Sequence, residues 1–215
     1  MKISVAIITR DKNKIAPFCL ATAGQISDDV VVVTNEDHEF VNFADQKNYA
    51  ALLCKHDWIL SLDDDEWLSS ELMLEITEIR NWIYGGFRIK RKNIIFGKIM
   101  EYTNWEPEAD KHVWLYNKRV AKWVGDVHEE VIVDGKIGEL NNFKMHENYT
   151  SVEQFMTKLN DYTSREKNTV NPIYEFLRRY IWHRGFLDGW HGLFLSYLMM
   201  IYHLVVWVKK KSSSS

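Results

Sequence analysis

Cysteine is scarce in this sequence of 215 residues, where Cys19 and Cys54 are the only two. Two thiols in a chain of this size do not make a disulfide framework, so we expect a reducing compartment. An excess of basic charge is also lacking, because the formal net charge is −3, and this argues against nucleic acid as a partner. The first apolar run, residues 3–8, is too short for the hydrophobic region of a signal peptide and predicts a β-strand.

Hydrophobic residues nevertheless make up 46% of the chain, which is enough for a sizeable core. Short apolar runs at 3–9, 30–33 and 58–62 are typical of strands buried on both faces of a parallel sheet. The gaps between these runs have room for crossover helices, which we expect at 16–23 and 43–54. The predicted order is therefore β-α-β-α-β.

A third helix is predicted after the last of these strands, with Ser69 as its N-cap. Four apolar residues at helical spacing form its expected buried stripe: Leu72, Ile76, Ile79 and Ile83. The first 85 residues therefore predict a Rossmann-like half of an α/β protein. Short strands are expected up to about residue 145, and then a helix that begins with a capping box at Thr150 or Ser151.

Four consecutive acidic residues, 63–66, directly follow the third apolar run. Ligands of open α/β sheets bind beyond the carboxyl ends of the strands, so this position is typical of a binding site. In an extended backbone, Asp63 and Asp65 face one ligand together, with Asp64 on the opposite side. Two carboxylates suit Mg²⁺ or Mn²⁺, and such a cation can bridge a diphosphate. An acidic turn before a helix explains the same residues without a metal, although four adjacent acids repel one another unless a cation is present.

A second group of polar residues, 126–130, follows another strand-like stretch. A hydroxyl nucleophile needs a carboxylate or an imidazole to take its proton. Glu129 is the first candidate for this base, with Asp126 and Glu130 behind it, and His128 is a candidate for a third metal ligand or for orienting the base. An ordinary polar loop is the alternative.

Basic residues alternate at Arg88, Lys90 and Lys92, so a strand there presents one basic face. We interpret this face as an acceptor site, because it suits an anionic group such as a phosphate or a lipid headgroup. A solvated edge strand protected by its charges explains the pattern equally well.

The last third of the chain is predicted to be mostly helical, and it contains several of the nine tryptophans. Residues 193–208 are apolar at all but two positions, and three lysines follow at 209–211. The run falls just short of a comfortable membrane span, but its tryptophans and flanking basic residues suit the anionic cytoplasmic leaflet. We therefore expect a helical segment at 171–211 that lies on the membrane. A C-terminal helix packed on the domain or on a dimer partner is the alternative.

Several stretches of the sequence resemble one known family. Residues 44–48 (ADQKN) and 58–68 (WILSLDDDEWL) resemble the patterns AQKN and WxLxLDADEWL. Residues 127–129 (VHE) and 184–192 (RGFLDGWHG) resemble the segments VHE and RGFxDGxxG, and 3–10 resembles the first strand. Together these stretches resemble family-two glycosyltransferases with the GT-A fold, and they are most similar to the bacterial lipopolysaccharide-core β-1,4-glucosyltransferases.

The resemblance implies a fold and a set of site residues. The fold is an α/β, GT-A type Rossmann-like mixed sheet with a C-terminal helical extension that associates with the membrane. The diphosphate and its divalent cation, Mg²⁺ or Mn²⁺, are expected at Asp63 and Asp65, with His128 as the further metal candidate and Glu129 as the base. The residues expected to bind the nucleotide-sugar are Thr9, Arg10, Gln46, Lys47, Asp63 and Asp64.

Two stretches depart from the family pattern. Residues 34–37 (TNED) stand where the family usually has Asp-Ser-Gly-Ser, whose Asp helps to hold the nucleoside. Residues 112–116 (HVWLY) stand where a QLRLF-like strand is usual, which bears on the acceptor or the donor sugar.

The implied function is inverting transfer of a hexose, with a UDP-sugar as the expected donor, to a lipopolysaccharide-type or other membrane-linked glycan. The predicted organisation has a nucleotide-sugar-binding half at 1–85, an acceptor-binding half at 86–170 and the membrane-associating segment at 171–211. The protein is then cytoplasmic and peripheral on the inner face of the cell membrane. A catalytically silent membrane adaptor of the same fold is the alternative. A nucleotidyltransferase is disfavoured, because residues 9–14 contain no glycine.

Overall fold

The computed structural model describes residues 2–79, 83–126, 129–166 and 168–213. The chain forms two compact units, Met1–Arg91 with Asp110–His146, and Lys92–Ala109 with Glu147–Ser215. The division predicted at residues 85 and 170 concerns function and stays a prediction.

The first unit begins with three parallel strands in the order β2-β1-β3, as the apolar runs predict. All six residues of β1 are buried, which explains why this strand has no polar alternation. The bounds of these strands and of the two helices that connect them are β1 Ile3–Ile8, α1 Pro17–Ile26, β2 Val30–Val33, α2 Phe43–Leu53 and β3 Trp58–Asp63. The predicted β-α-β-α-β order is confirmed.

Helix α3, Ser70–Glu78, begins where the sequence predicts, because the Ser69 side chain accepts a hydrogen bond from the Leu72 backbone N–H. The predicted buried stripe is wrong only at its last residue, because Ile79 is partly buried and packs against the core. Leu72 and Ile76 are buried, but the helix ends at Glu78 and Ile83 is 61% exposed. The periodic pattern therefore continues beyond the end of the helix.

The sheet continues as a mixed sheet in the order β2-β1-β3-β7-β5-β10-β4, with β6 paired to β5, and a separate hairpin pairs β8 with β9. Strand β4 follows β3 directly along the chain, yet it pairs with β10, at the other end of the order, so the sheet curls back on itself. The bounds are β4 Glu66–Leu68, β5 Gly86–Ile95, β6 Lys98–Ile99, β7 Lys111–Asn117, β8 Ala121–Val124, β9 Glu130–Val133 and β10 Ile137–Tyr149.

Helices dominate the second unit: α4 Val152–Arg165, α5 Pro172–Leu177 and α6 Trp190–Ser213. The capping box that the sequence predicts at the start of α4 is confirmed. Ser151 accepts from the Gln154 backbone N–H, and the Gln154 side chain accepts in return from Thr150.

One face of α6 packs inside the second unit, in a core that includes Leu195, Leu198 and Phe155, while Tyr197 and Trp207 remain exposed. Within the described chain, the stretch Trp190–Ser212 is long and apolar enough to cross a membrane, with a mean hydropathy of 1.5. The helix is thus longer than the 16-residue apolar run that the sequence shows.

The RGFLDGWHG stretch forms a tight joint before α6. A Cβ atom on Gly192 would lie 1.8 Å from the Gly185 carbonyl oxygen, so only glycine fits there. The Asp188 carboxylate is buried and accepts hydrogen bonds from the Tyr102 backbone N–H and the Thr103 hydroxyl, each at 3.0 Å. In this structure the motif therefore holds the unit together.

Candidate active site

The acidic stretch forms a sharp turn at the carboxyl end of β3. The strand ends at Asp63, Asp64 and Asp65 make the turn, and β4 begins at Glu66. The extended backbone expected for Asp63 and Asp65 is therefore wrong, because a turn does not keep the alternation of a strand. The Asp64 carboxylate accepts a hydrogen bond from the Thr9 hydroxyl at the end of β1.

Lys47, on α2, joins the acidic turn to the candidate base. Its Nζ atom lies 3.2 Å from Asp63 Oδ1 and 2.9 Å from Glu129 Oε1, and 4.5 Å from the centre of the Trp123 ring. Burial alone lowers the pKa of this lysine, but the charges of Asp63 and Glu129 outweigh burial and raise it. Lys47 and Glu129 belong to different sequence motifs, and the fold brings them to one site. The predicted contact of Lys47 with a nucleotide stays a prediction.

An ion cluster forms around the fully buried Glu66, directly after the turn, and the sequence did not predict it. Glu66 accepts hydrogen bonds from the Asp63 backbone N–H at 2.9 Å and from Arg91 at 3.0 Å, and it also pairs with Lys144. Burial raises the pKa of Glu66, but the charges of Lys144 and Arg91 more than offset it and hold the pKa well below its usual range. Burial lowers the pKa of Lys144 to about 8, so the pair is ionised at neutral pH. The Lys144 ammonium also lies 3.5 Å from the centre of the Trp114 ring.

Residues that are predicted to bind the nucleotide lie near the ends of the neighbouring strands. Gln46 is buried and donates a 2.9 Å hydrogen bond to the Thr34 carbonyl at the end of β2. In the stretch that departs from the family, Asp37 accepts from the Thr34 backbone N–H and hydroxyl, both at 2.9 Å, and it pairs with Lys12 at 3.1 Å. Arg10, next to Thr9, is exposed. The polar groups therefore lie beyond β1, β2 and β3, where ligands of such sheets bind.

The metal candidates are only partly brought together. His146 Nε2 lies 3.3 Å from Asp65 Oδ1, whereas His128 lies outside the described residues. Asp63 Oδ1 has no well-formed hydrogen bond, although Lys47 is close to it. No group of three or more His, Cys, Asp or Glu that could hold a metal occurs in the part of the chain that the structure describes.

The other predicted site residues are Asp126 and the alternating basic residues of β5. Asp126 accepts a 3.1 Å hydrogen bond from the Asn42 side chain and is exposed. On β5, Arg91 reaches Glu66, and it lies out of phase with the alternating Arg88 and Lys90. The acceptor role of Arg88, Lys90 and Lys92 stays a prediction. The alternating pattern did not include Arg91, which is the basic residue of this strand that contacts Glu66.

Several known proteins are similar to this chain in sequence. No family model matches the chain. The chain is 28% identical over 236 residues to a protein of Rickettsia typhi, covering 89% of this chain and 80% of that one. It is 27% identical over 262 residues to a protein of Rickettsia conorii, covering 99% of this chain and 91% of that one. Both relatives are named uncharacterized glycosyltransferases.

A protein of Rickettsia prowazekii with the same name is 28% identical and covers 89% of this chain and 80% of its own. Among solved structures, S. aureus TarS 1–349 matches 76% of this chain and 65% of its own length, with a TM-score of 0.40 and 13% identity. The alignments with the named relatives cover most or all of the sequence, so they extend over both units. They support glycosyltransferase activity. The donor, the acceptor and the inverting mechanism are proposals.

Proposed function

We propose that this chain is an inverting glycosyltransferase of the GT-A type in family two. It moves a hexose from a nucleoside-diphosphate sugar, with UDP as the expected nucleotide, to a lipopolysaccharide-type or other membrane-linked glycan. The observation that carries the proposal is the Lys47 bridge, which joins Asp63 at the end of a parallel strand to Glu129. The names of the Rickettsia relatives support the same class of reaction.

Donor binding is assigned to the ends of the three parallel strands. Thr9 and Asp64 are hydrogen-bonded to each other there, and Gln46 fixes the end of β2. The nucleotide lies along these strand ends, with its diphosphate towards the acidic turn. Asp37, which accepts a hydrogen bond from the Thr34 hydroxyl just after β2, takes the place of the family's nucleoside-binding Asp.

The carboxylates at the turn favour a divalent cation with the diphosphate. Asp63 and Asp65 offer the oxygen atoms that would hold Mg²⁺ or Mn²⁺, and phosphate oxygens would complete the ligand set. When bound, the cation neutralises the charge that develops on the leaving diphosphate.

Glu129 is assigned as the general base. Its carboxylate takes the proton of the acceptor hydroxyl while the hydroxyl oxygen forms a bond to the anomeric carbon. The bond from that carbon to the diphosphate oxygen breaks, and its electron pair leaves with the diphosphate. Lys47 holds the carboxylate in place through the 2.9 Å contact. A single displacement inverts the anomeric centre, so an α-linked donor gives a β-linked product, and the anomeric proton coupling of the product measured by NMR checks this.

The second unit is assigned to the cytoplasmic face of the cell membrane. Trp182, Trp190 and Trp207 are exposed, and tryptophan is enriched at membrane interfaces. Fewer basic residues than the sequence suggests are available to anionic lipids, because Arg179 is buried against Glu175 and Lys209 binds the last turn of α4. We therefore assign most of the attachment to apolar contact.

Nucleotide-sugar consumption tests the proposal against a catalytically silent adaptor. We expect release of UDP from at least one UDP-hexose in the presence of Mn²⁺ and a bacterial membrane extract as the acceptor. Asp65→Asn should abolish the release, while Asp57→Asn, which changes the exposed carboxylate before β3, should not. Nucleotide-sugar binding without consumption of any donor would identify the adaptor instead.

A further inference from the structure

Helix α6 exposes an apolar stripe along its whole length. Exposed apolar or aromatic residues make it up, and we call them the outer stripe: Trp190, Leu193, Tyr197, Leu204 and Val208. At about 100° per residue these positions fall within an arc of about 60°, so the stripe runs straight along the helix. The sequence from 190 to 208 contains no aspartate, glutamate, lysine or arginine.

The opposite side of α6 is held by its own unit. Leu195 and Leu198 are buried in a core that they share with Phe155 of α4. Near the other end of the helix, the Lys209 ammonium donates a 2.9 Å hydrogen bond to the Thr163 hydroxyl on α4. Helix α6 is therefore attached to α4 at points about 21 Å apart along its axis, at a rise of about 1.5 Å per residue.

This attachment argues against α6 crossing the membrane, although its length and hydropathy are sufficient for a span. An α6 that crossed would draw α4 into the hydrocarbon, and α4 carries Glu153, Lys158 and Asp161. It would also draw in α5, which packs on α6 and contains Glu175, the partner of Arg179. Charged side chains are costly inside a bilayer, so the side of α6 that faces its unit has to stay outside the hydrocarbon.

The outer stripe fits a lipid surface in shape and in charge. A straight stripe contacts a flat surface along its whole length only when the helix axis lies parallel to that surface. Exposed basic residues bracket the stripe, with Arg184 before α6 and Lys210 and Lys211 in its last turn, and they complement anionic headgroups. The rings of Trp190 and Tyr197 are amphipathic, which is typical of side chains at the level of the headgroups.

We propose that α6 lies lengthwise in the cytoplasmic leaflet, with the outer stripe in the lipid and the opposite side against its own unit. The helix axis is then parallel to the membrane plane, and the whole stripe lies at one depth, about 5–10 Å into the boundary between headgroups and acyl chains. This orientation rests on the proposed function for the choice of membrane, and it defines how the second unit meets that membrane.

Site-directed spin labelling of the full chain measures this depth. Leu193→Cys, Leu204→Cys and Val208→Cys each place one label on the outer stripe, at positions that are already exposed. Cys19 and Cys54 need no replacement, because both are buried, and burial raises the pKa of their thiols to about 12 and about 11.

The labelled proteins are mixed with vesicles of phosphatidylglycerol and phosphatidylethanolamine. Electron paramagnetic resonance then compares the access of each label to oxygen, which enters lipid, and to a water-soluble nickel complex. We expect the three depths to agree within about 5 Å. A crossing helix would instead separate the depths at Leu193 and Val208 by about 22 Å, and that result overturns the proposal.

Thr157→Cys is the matched control. Thr157 is exposed on α4, on the side opposite to the buried Leu159, so its label should stay accessible to the nickel complex when vesicles are present. Nickel access to the outer stripe that vesicles leave unchanged contradicts the proposal. Spin–spin broadening between copies without lipid also contradicts it, because a second chain would then be the occupant. Calorimetry of UDP with the same proteins keeps the proposals distinct, since intact UDP binding without the depth pattern concerns α6 alone.

Discussion

The ammonium of Lys47 donates a 2.9 Å hydrogen bond to Glu129, 82 residues later in the chain. The Lys47 side chain is only 4% exposed, so this charge is shielded from water. Lys47→Met keeps much of the side-chain length but leaves Glu129 and Asp63 without their cation. We expect the free energy of unfolding to fall by about 3–5 kcal/mol, because a buried ion pair is broken on one side. Urea denaturation measures this loss.

Lys55→Met is the control, because Lys55 is an exposed lysine whose nearest carboxylate oxygen, on Asp29, is 3.6 Å away. A change of about 0.5 kcal/mol or less is expected there. Equal losses in the two variants would show that the Lys47 bridge has no special weight.

Removal of the proposed base should affect turnover much more than binding. Glu129→Gln keeps the shape of the side chain and can still accept from Lys47, but it takes up no proton. Turnover should fall by about 10²–10⁴-fold, the usual contribution of a general base, while donor affinity measured by calorimetry survives.

Glu71→Gln, at an exposed position on α3, is the matched control and should retain full turnover. If Glu129→Gln keeps more than about a tenth of the wild-type turnover, the role belongs to another residue, and Asp126 is the next candidate.

The parallel half of the fold could be predicted because its signals are local. Buried strands such as β1 appear as continuous apolar runs, and Ser69 and Ser151 mark the starts of helices. The curl of the sheet could not be predicted, since β4 pairs with β10 nearly eighty residues away. The end of α3 was also missed, because the apolar period continues to Ile83 after the helix has stopped.

The site could be predicted only as far as its motifs extend. Motif residues such as Asp63, Lys47 and Glu129 do meet in one place. Arg91 and Lys144 were missed because each is a single basic residue in a strand, and only the tertiary fold brings them to Glu66. The run of three aspartates and a glutamate after an apolar strand is a sequence feature that could have suggested partners of opposite charge.

Cation binding should depend on the nucleotide. Asp63 and Asp65 provide too few ligands to hold Mg²⁺ or Mn²⁺ tightly alone, and phosphate oxygens supply the rest. We therefore expect UDP to bind more tightly with Mn²⁺ than with EDTA in calorimetry, and Asp65→Asn to remove the difference. Equal affinity for UDP in both conditions contradicts a role for the cation in donor binding.

The buried carboxylate of Glu66 should make stability depend on acid pH. Its pKa in the folded chain lies below the ordinary 4.5 of the unfolded chain, because Lys144 and Arg91 outweigh the effect of burial. The stabilisation is therefore complete above pH 4.5 and is lost progressively as the pH falls below that value. Glu66→Gln should lower the free energy of unfolding at pH 7 by about 3–5 kcal/mol and flatten its decline between neutral and acid pH. Denaturation in EDTA across this range checks both effects, and an unchanged acid slope contradicts them.

Membrane attachment should rest on exposed aromatic residues of the second unit. Truncation before α5 is a poor test, because α6 buries Leu195 and Leu198 in the core of that unit, and their partners would be uncovered. Replacing Trp182 and Trp190 by serine keeps this core, since both side chains are exposed.

The measurement is co-sedimentation with neutral and anionic vesicles, for the wild type, the double variant Trp182→Ser with Trp190→Ser, and Leu52→Ser as a control. Leu52 is a more exposed apolar residue, but it belongs to the first unit.

Apolar contact contributes roughly 25 cal/mol per Å² buried and does not weaken with salt, whereas each available basic residue adds about 1 kcal/mol that salt screens. Because Arg179 and Lys209 are engaged within the unit, we expect salt to release only part of the bound protein and detergent to release all of it. The double variant should bind much less than Leu52→Ser. If the wild type ignores both kinds of vesicle and stays monodisperse without detergent, the exposed face of α6 is not a membrane surface.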